Sequence, residues 1–311
     1  MNQAIQVLLT VLPVVVMLLL GVLTRKTGML SREGIGALKR VVMDITLPAV
    51  LVGAFAGAEY TLNSLLLPLI MFAVCLAALG LGRLGGRMLR LSSPYAPYMA
   101  SGYEAGMLGY ALFAMLYGQE HTASFALLDL GQVLFVFTVY KVLLTRTQGG
   151  RMSARQTLHS LASSPTIWAI LAGVALGATG LYRAMGAWGG DQLLTAVTDF
   201  VSAPTGAVIL LTIGYDLAMD KAQLKAGLKT CALRLVINGA LMALMLVVAG
   251  FMFPGDIYLR GAVLLMFMLP PPYVLPIFAD DPQERSYVSS SLCMLTLVTI
   301  AVFAVMAWGV G

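Results

Sequence analysis

Apolar runs of about 20 residues, the length that spans a bilayer as a helix, follow one another along almost the whole chain. This repetition constrains the fold more than any other feature. Of the 311 residues, 59% are hydrophobic and only 11% are charged, whereas a soluble domain carries about a quarter charged residues. The sequence therefore predicts an all-α polytopic membrane protein with no separate soluble domain.

The runs resolve into ten candidate spans, five in each half of the chain. The first begins almost at once, has no basic region ahead of it and is long enough to span, so we expect no cleavable signal peptide. Numbered as segments 1 to 10, the spans are 4–24, 33–57, 62–82, 95–118, 122–145, 165–182, 191–217, 228–252, 257–279 and 287–308.

The basic residues predict the orientation of these spans. Of the 19 lysines and arginines, all but Arg183 and Arg260 fall on one side. Positive charge marks the cytoplasmic side, so we expect a multi-pass protein of the inner (cytoplasmic) membrane with both termini outside. We interpret the cytoplasmic set as determinants of topology rather than ligand-binding groups. Its members are Arg25, Lys26, Arg32, Lys39, Arg40, Arg83, Arg87, Arg90, Lys141, Arg146, Arg151, Arg155, Lys221, Lys225, Lys229, Arg234 and Arg285.

The two halves of the chain, 1–155 and 156–311, resemble each other. Five spans per half is an odd number, so the second half enters the membrane in the opposite orientation, which predicts an inverted-topology repeat. The same spacing along the chain separates two pairs of landmarks, Gly21 from Gly177 and Pro48 from Pro204.

One segment in each half is interrupted where the surrounding sequence is expected in lipid. Segment 4 has the glycine-rich stretch 102–109 (GYEAGMLG), and segment 9 has three prolines within 269–276 (LPPPYVLP). Non-helical backbone is tolerated at that depth only where protein or a water-filled cavity covers it. Corresponding interruptions in two halves are typical of a transporter binding site.

Glu104 and Asp129 are the carboxyl groups that say most about function. A charged side chain inside the membrane is costly, so its presence there indicates a functional role by default. Glu104 lies roughly 14 Å from the cytoplasmic start of segment 4, and Asp129 roughly 10 Å from the outer start of segment 5. Gln132 shares the helix face of Asp129. We expect all three to line one cavity. The predicted substrate-binding set is Glu104, Ala105, Gly106, Gly109, Asp129, Gln132, Pro270, Pro271, Pro272, Tyr273 and Val274.

The interruptions also bear on the charge of the substrate. The half-helices after Gly109 and Pro272 expose backbone N–H groups at positive dipole ends, which favour an anion such as a carboxylate. An ionised Glu104 would repel that anion. Three alternatives stay open: Glu104 is protonated and couples transport to a proton, it holds a cation such as Na⁺, or the substrate carries an ammonium group.

Two further acids are candidates for ion or proton coupling beside Glu104 and Asp129. Asp44 and Asp199 each precede one of the landmark prolines by about a turn. The alternative for both is a structural hydrogen bond.

Four short motifs occur in a definite order: 18–30 (LLLGVLTRKTGML), 44–49 (DITLPA), 164–167 (SPTI) and 269–271 (LPP). Together they resemble the auxin efflux carrier family, which comprises the plant PIN proteins and their bacterial relatives, over nearly the whole chain. The resemblance implies ten helices, with helices 4 and 9 broken and crossing. It further implies a scaffold of segments 1, 2, 6 and 7, a moving unit of segments 3–5 and 8–10, an elevator-type mechanism and a possible homodimer through the scaffold.

The chain departs from the family pattern at the crossing. Family members often have Asn-Thr-Gly in helix 4, where this chain has Glu104, Ala105 and Gly106, and an Asn in helix 9 where it has Val274. The helix ends at the two interruptions and the family resemblance predict a secondary carrier of a small organic anion; the departures fall on the positions that would read the substrate. The nearest alternative is a sodium- or proton-coupled symporter of the bile-acid type, followed by a transporter-fold sensor and a channel.

An enzyme is not expected. Tyr215-Asp216 resembles half of an aspartyl intramembrane protease signature, but segment 8 lacks the partner acid. Both histidines lie in connections, and a Gly-Lys-Ser/Thr phosphate loop is missing. The cysteines have no metal-ligand spacing. We expect no cofactor, no metal and no nucleic acid; the expected partners are the substrate, lipid and, in the coupled alternatives, H⁺ or Na⁺.

Overall fold

The computed structural model describes residues 3–58, 60–150, 152–217 and 219–310, and these ranges are helical with short turns and no strand. Arg151, counted above toward the topology, lies outside them. The prediction of an all-α membrane protein is confirmed. Six helices in the described ranges are long and apolar enough to cross a membrane: Val7–Thr27, Leu62–Met88, Gln119–Thr147, Gly190–Asp216, Lys221–Met252 and Pro282–Val310.

A seventh span results if the helices Arg155–Ala162 and Pro165–Ala178, bent by 69° from each other, are taken as one. The count of ten spans stays a prediction. In chain order, the helices are Gln3–Thr27, Arg32–Val41, Val42–Thr46, Leu47–Ala56, Leu62–Met88, Ala96–Met99, Ala105–Gly109, Tyr110–Tyr117, Gln119–His121, Thr122–Phe135, Val136–Tyr140, Lys141–Thr147, Ala154–Ala162, Pro165–Ala178, Leu181–Met185, Gly186–Trp188, Gly190–Ser202, Thr205–Asp216, Lys221–Gln223, Leu224–Met252, Ile257–Met268, Leu275–Phe278 and Pro282–Val310.

Segment 2 shows how a proline shapes one of these helices. It begins after Ser31, whose hydroxyl accepts a hydrogen bond from the N–H of Gly34 at 3.0 Å and so caps the helix. The turn Val42–Thr46 widens to a π-helix immediately before Pro48. Because a proline has no N–H and its ring crowds the preceding turn, the hydrogen-bonding pattern must shift there.

Segments 4 and 9 are both interrupted. The helix of segment 4 stops at Met99 and resumes at Ala105, and that of segment 9 stops at Met268 and resumes as a short 3₁₀ turn at Leu275. Gly102 sits in the first gap with φ +67°, a conformation that favours glycine. The prolines of the second gap cannot donate to a helix. Each gap thus has a local cause.

Glycines bring segments 1 and 7 into close contact. A Cβ on Gly21 would collide with the Leu211 carbonyl, and one on Gly214 with the Leu18 carbonyl. Segments 2 and 6 meet similarly, with Gly177 against the Phe55 carbonyl. Small residues let backbones approach and gain van der Waals contact, which helix association in lipid depends on.

Gly214→Ala is expected to lower the free energy of unfolding by about 1–3 kcal/mol, because the added methyl group overpacks a backbone contact. The thermal midpoint of the purified protein in detergent measures this. Gly239→Ala is the matched control, since a Cβ there meets no atom within 4 Å, and alanine is the better helix former. Equal midpoints for both variants would contradict the close contact.

Candidate functional site

A cavity of about 370 Å³ lies beside the two interruptions. Segments 4, 5 and 9 form one part of its wall, and segments 2 and 6 form the other. Seven of the predicted substrate-binding residues line it: Glu104, Gly106, Asp129, Gln132, Pro272, Tyr273 and Val274. Its remaining lining is mostly apolar, with Lys39 and Lys141 as the basic groups.

Glu104 joins the two interrupted segments. Its backbone N–H donates to the Pro270 carbonyl at 2.8 Å. One carboxylate oxygen accepts from the N–H of Met107 at 3.1 Å, and the other accepts from the N–H of Tyr273 at 2.5 Å. The side chain is 8% exposed. The buried carboxylate of Glu104 therefore accepts hydrogen bonds from one backbone N–H where the helix of segment 4 resumes and from another in the gap of segment 9.

This geometry corrects two expectations about the backbone. The gap in segment 4 is 100–104, whereas the glycines at Gly106 and Gly109 belong to a helical turn that begins at Ala105. The N–H groups expected to be free for a substrate anion are partly occupied by the protein itself, because Glu104 accepts from Met107 and Tyr273. Glu104 acts as an N-cap, so the helix starts at Ala105, before Gly106 in the chain.

Asp129 and Gln132 lie deeper in segment 5, as their shared helix face predicts. The Gln132 amide donates to Asp129 at 3.2 Å and to the Tyr103 carbonyl at 2.8 Å, which lies in the gap of segment 4. Asp129 is 2% exposed. Among the described residues, the carbonyl oxygen of the Gln132 side chain has no hydrogen-bond donor. The cavity therefore holds a buried acid and an available acceptor.

Arg234 is a buried residue beside the two interruptions whose position the sequence did not predict. It is interpreted above only as a determinant of topology, but its side chain is 1% exposed inside segment 8. Its guanidinium donates to the carbonyls of Met99 at 2.7 Å, Gly102 at 2.8 Å and Leu269 at 2.8 Å. It also lies over the Tyr103 ring, 5.2 Å from the centroid. These carbonyls lack helical partners because both helices are interrupted there.

A signal for Arg234 was available. It lies ten residues after Leu224, where the helix of segment 8 begins, or roughly 15 Å along it at helical rise. That depth is the criterion that singled out Glu104. Placing the start of segment 8 at residue 228 hid it.

Other predicted residues lie outside the cavity lining. Ala105 and Gly109 are buried in packing, the latter against Phe125. Pro270 contributes its carbonyl to Glu104, and Pro271 is buried. Asp44 and Asp199, the two other candidates for ion or proton coupling, are exposed on the surfaces of segments 2 and 7. They do not line the cavity.

Comparison with known proteins shows the family of this protein. A sequence model of the auxin efflux carrier-like family, described as membrane transport protein, matches residues 6–308. The chain belongs to this family. The resemblance inferred from the short motifs is thereby confirmed, and the chain is a membrane transporter.

A curated relative points the same way. An "Uncharacterized transporter" from Methanothermobacter thermautotrophicus (strain ATCC 29096 / DSM 1053 / JCM 10044 / NBRC 100330 / Delta H) is 26% identical to this chain over 213 residues. The matched part is 67% of each protein. In this membrane transport family, the cavity at the two interruptions is the candidate substrate site. No group of three or more metal-ligating side chains occurs within the described part of the chain.

Proposed function

We propose that this protein is a secondary active transporter that moves a small organic anion, most simply a carboxylate, across the inner membrane by an elevator-type mechanism. The observation that carries the proposal is the double cap made by Glu104. It fixes two interrupted segments to each other at a buried cavity, so that the substrate-facing backbone of both moves as one body.

The proposed architecture is ten spans in two inverted repeats, with both termini outside. Its support is a pair of related contacts: Gly21 packs on the Leu211 carbonyl, and Gly177 packs on the Phe55 carbonyl. The spacing from Gly21 to Gly177 equals that from Phe55 to Leu211. A repeat in the sequence thus has a matching repeat in the packing, as an inverted-repeat transporter requires.

The proposed division into a scaffold and a moving unit rests on helix packing. Segment 1 packs on segment 7 and segment 2 on segment 6, whereas segments 3 and 5 pack together and segment 8 packs on segments 3, 9 and 10. The cavity lies between these two groups. Movement of one group past the other would carry a ligand across. The scaffold would also supply the surface for a homodimer.

The charges around the cavity suit an anion. Both carboxylate oxygens of Glu104 accept N–H groups, so its negative charge faces backbone dipoles. Lys141 and Lys39 are the basic groups in the lining, and the charge of Lys39 is offset by its ion pair with Asp216. Asp129 and Glu104 supply acids for coupling to a proton or to Na⁺. Because two acids share this cavity, a sodium- or proton-coupled symporter is the second candidate.

Ligand-induced thermal stabilisation tests the proposal. The purified protein is heated with a panel of carboxylates, amino acids and amines at about pH 5.5 and 7.5, with and without Na⁺. A ligand at about 100 times its Kd stabilises by roughly 2.7 kcal/mol. We expect a carboxylate to raise the midpoint.

The outcomes separate the alternatives. A carboxylate effect that strengthens at the lower pH supports an anion carrier coupled to protons. An effect that requires Na⁺ supports the symporter. Stabilisation by amines alone would overturn the assignment of an anionic substrate.

A further inference from the structure

A second cavity, of about 480 Å³, lies between segments 1, 2, 7, 9 and 10. We call it the basic vestibule. Four basic side chains line it together with one acid: Arg25, Arg32, Lys39, Arg285 and Asp216. Residues interpreted from the sequence as determinants of topology therefore line one open cavity from three different segments.

Some of the charged groups in the basic vestibule are already paired within the protein, and others keep free hydrogen-bond donors. Lys39 forms an ion pair with Asp216, so these two charges offset each other. Arg25 donates one N–H to the Tyr215 carbonyl at 3.0 Å, and Arg285 donates its Nε–H to the Ala279 carbonyl at 2.9 Å. A guanidinium has five N–H donors. The two bonds orient the arginines and leave donors free for a ligand.

Arg32 adds a third guanidinium. Within the described ranges it has neither a hydrogen bond nor an ion pair, although it lines the same space. Among the described residues, none of these three arginines pairs with a carboxylate, so they suit an anionic group. A guanidinium binds a carboxylate or phosphate through two parallel N–H bonds.

Convergence distinguishes this arrangement from a purely topological role. The positive-inside rule depends on how many basic residues a short loop carries, and it sets no requirement on where they point. Lys26 and Arg40, the sequence neighbours of Arg25 and Lys39, do not line the cavity, whereas Arg32 and Arg285 are exposed residues that do. The chain thus separates basic residues that surround the space from basic residues that do not.

The basic vestibule also adjoins the substrate cavity. Lys39, Met107, Tyr273 and Ile277 line both spaces. Tyr273 is the residue whose N–H binds Glu104, and its hydroxyl lies 2.8 Å from that of Thr296 at the vestibule wall. An anion in the vestibule would therefore be separated from the substrate cavity only by the side chain of Tyr273 and the other residues that line both spaces.

We propose that the basic vestibule is a binding site for the anionic group of an organic carboxylate, located on the cytoplasmic side of the substrate cavity. Its role as a first contact for the transported molecule rests on the proposed function. The existence of the binding site does not depend on the proposed function: the electrostatic potential in the basic vestibule is positive, so the vestibule should bind small anions.

A cysteine at position 289 reports on this site. Ser289 is a half-buried vestibule residue. The reporter protein is Ser289→Cys with Cys293→Ser, because Cys293 also lines the space; Cys75 and Cys231 are buried elsewhere. Its rates of modification by methanethiosulfonates carrying a sulfonate or a trimethylammonium group are measured by mass spectrometry. The reference reporter is Ser163→Cys, an exposed position outside the cavity.

We expect the ratio of sulfonate to trimethylammonium rates at position 289 to exceed the reference ratio by on the order of tenfold at low salt. Arg32→Gln and Arg285→Gln should each bring the ratio toward the reference value, whereas Arg32→Lys should keep it. Lys26→Gln removes the same charge outside the cavity and should leave the ratio unchanged. Equal ratios at the two reporters would overturn the proposal.

Protection completes the test. Benzoate, compared with inorganic phosphate and chloride at matched ionic strength, should slow modification at position 289, and Arg32→Gln should abolish this protection. Protection by phosphate alone, or protection that survives Arg32→Gln and Arg285→Gln, overturns a carboxylate site. The carrier proposal is judged separately by the stabilisation panel on the unmodified protein, so either proposal can fail alone.

Discussion

Arg234→Met is expected to lower the free energy of unfolding by about 3–5 kcal/mol, because each buried carbonyl left without a donor costs about 1–3 kcal/mol. Methionine fills the volume but donates no hydrogen bond. Three carbonyls, those of Met99, Gly102 and Leu269, would then be left without their donors. The thermal midpoint in detergent measures the loss. Hydrogen exchange should increase most at 100–104 and 269–274, where the interrupted backbone depends on this side chain.

Two variants make this result specific. Arg234→Lys keeps the charge but not the planar fork, so it should retain only part of the stability. Arg83→Met removes an exposed arginine from the helix of segment 3 and should change the midpoint little. If Arg234→Met and Arg83→Met behave alike, Arg234 does not hold the interruptions together.

Glu104→Gln is expected to abolish most transport and to destabilise the protein by about 1–3 kcal/mol, the cost of leaving one buried donor unsatisfied. A carboxylate accepts from both Met107 and Tyr273. A glutamine side chain has one acceptor oxygen, and its NH₂ group would oppose the second N–H. Transport by the protein in proteoliposomes, driven by the ligand found in the panel, measures the first effect.

A comparison with Asp129→Asn distinguishes the role of Glu104 in capping the interrupted helices from a role of either acid in coupling transport to an ion. Asp129 contacts Gln132 on its own helix and makes no hydrogen bond to segment 9 within the described residues, so Asp129→Asn should alter the pH or Na⁺ dependence while sparing stability. Glu120→Gln, at an exposed acid in the turn between segments 4 and 5, is the control for loss of charge. Normal transport by Glu104→Gln with unchanged pH and Na⁺ dependence would show that Glu104 neither couples transport to an ion nor recognises the substrate.

The sequence by itself determined the class of the protein and the neighbourhood of the site. Composition and the recurrence of apolar runs are properties of single segments, and they predicted an all-α membrane protein. Glycines at 102–109 and prolines at 269–276 marked where helices cannot continue regularly. The rarity of intramembrane charge selected Glu104 and Asp129, which the structure brings to one cavity.

The tertiary structure alone decided how these parts meet. Glu104 contacts Tyr273 at a separation of 169 residues, and Arg234 contacts Gly102 at a separation of 132. No local pattern encodes such pairs, because they exist only once segments 4, 8 and 9 are docked. The convergence of Arg25, Arg32 and Arg285 on one vestibule has the same origin. Local sequence sets which backbone groups lose their helical partners, and only helix packing determines which side chains replace them.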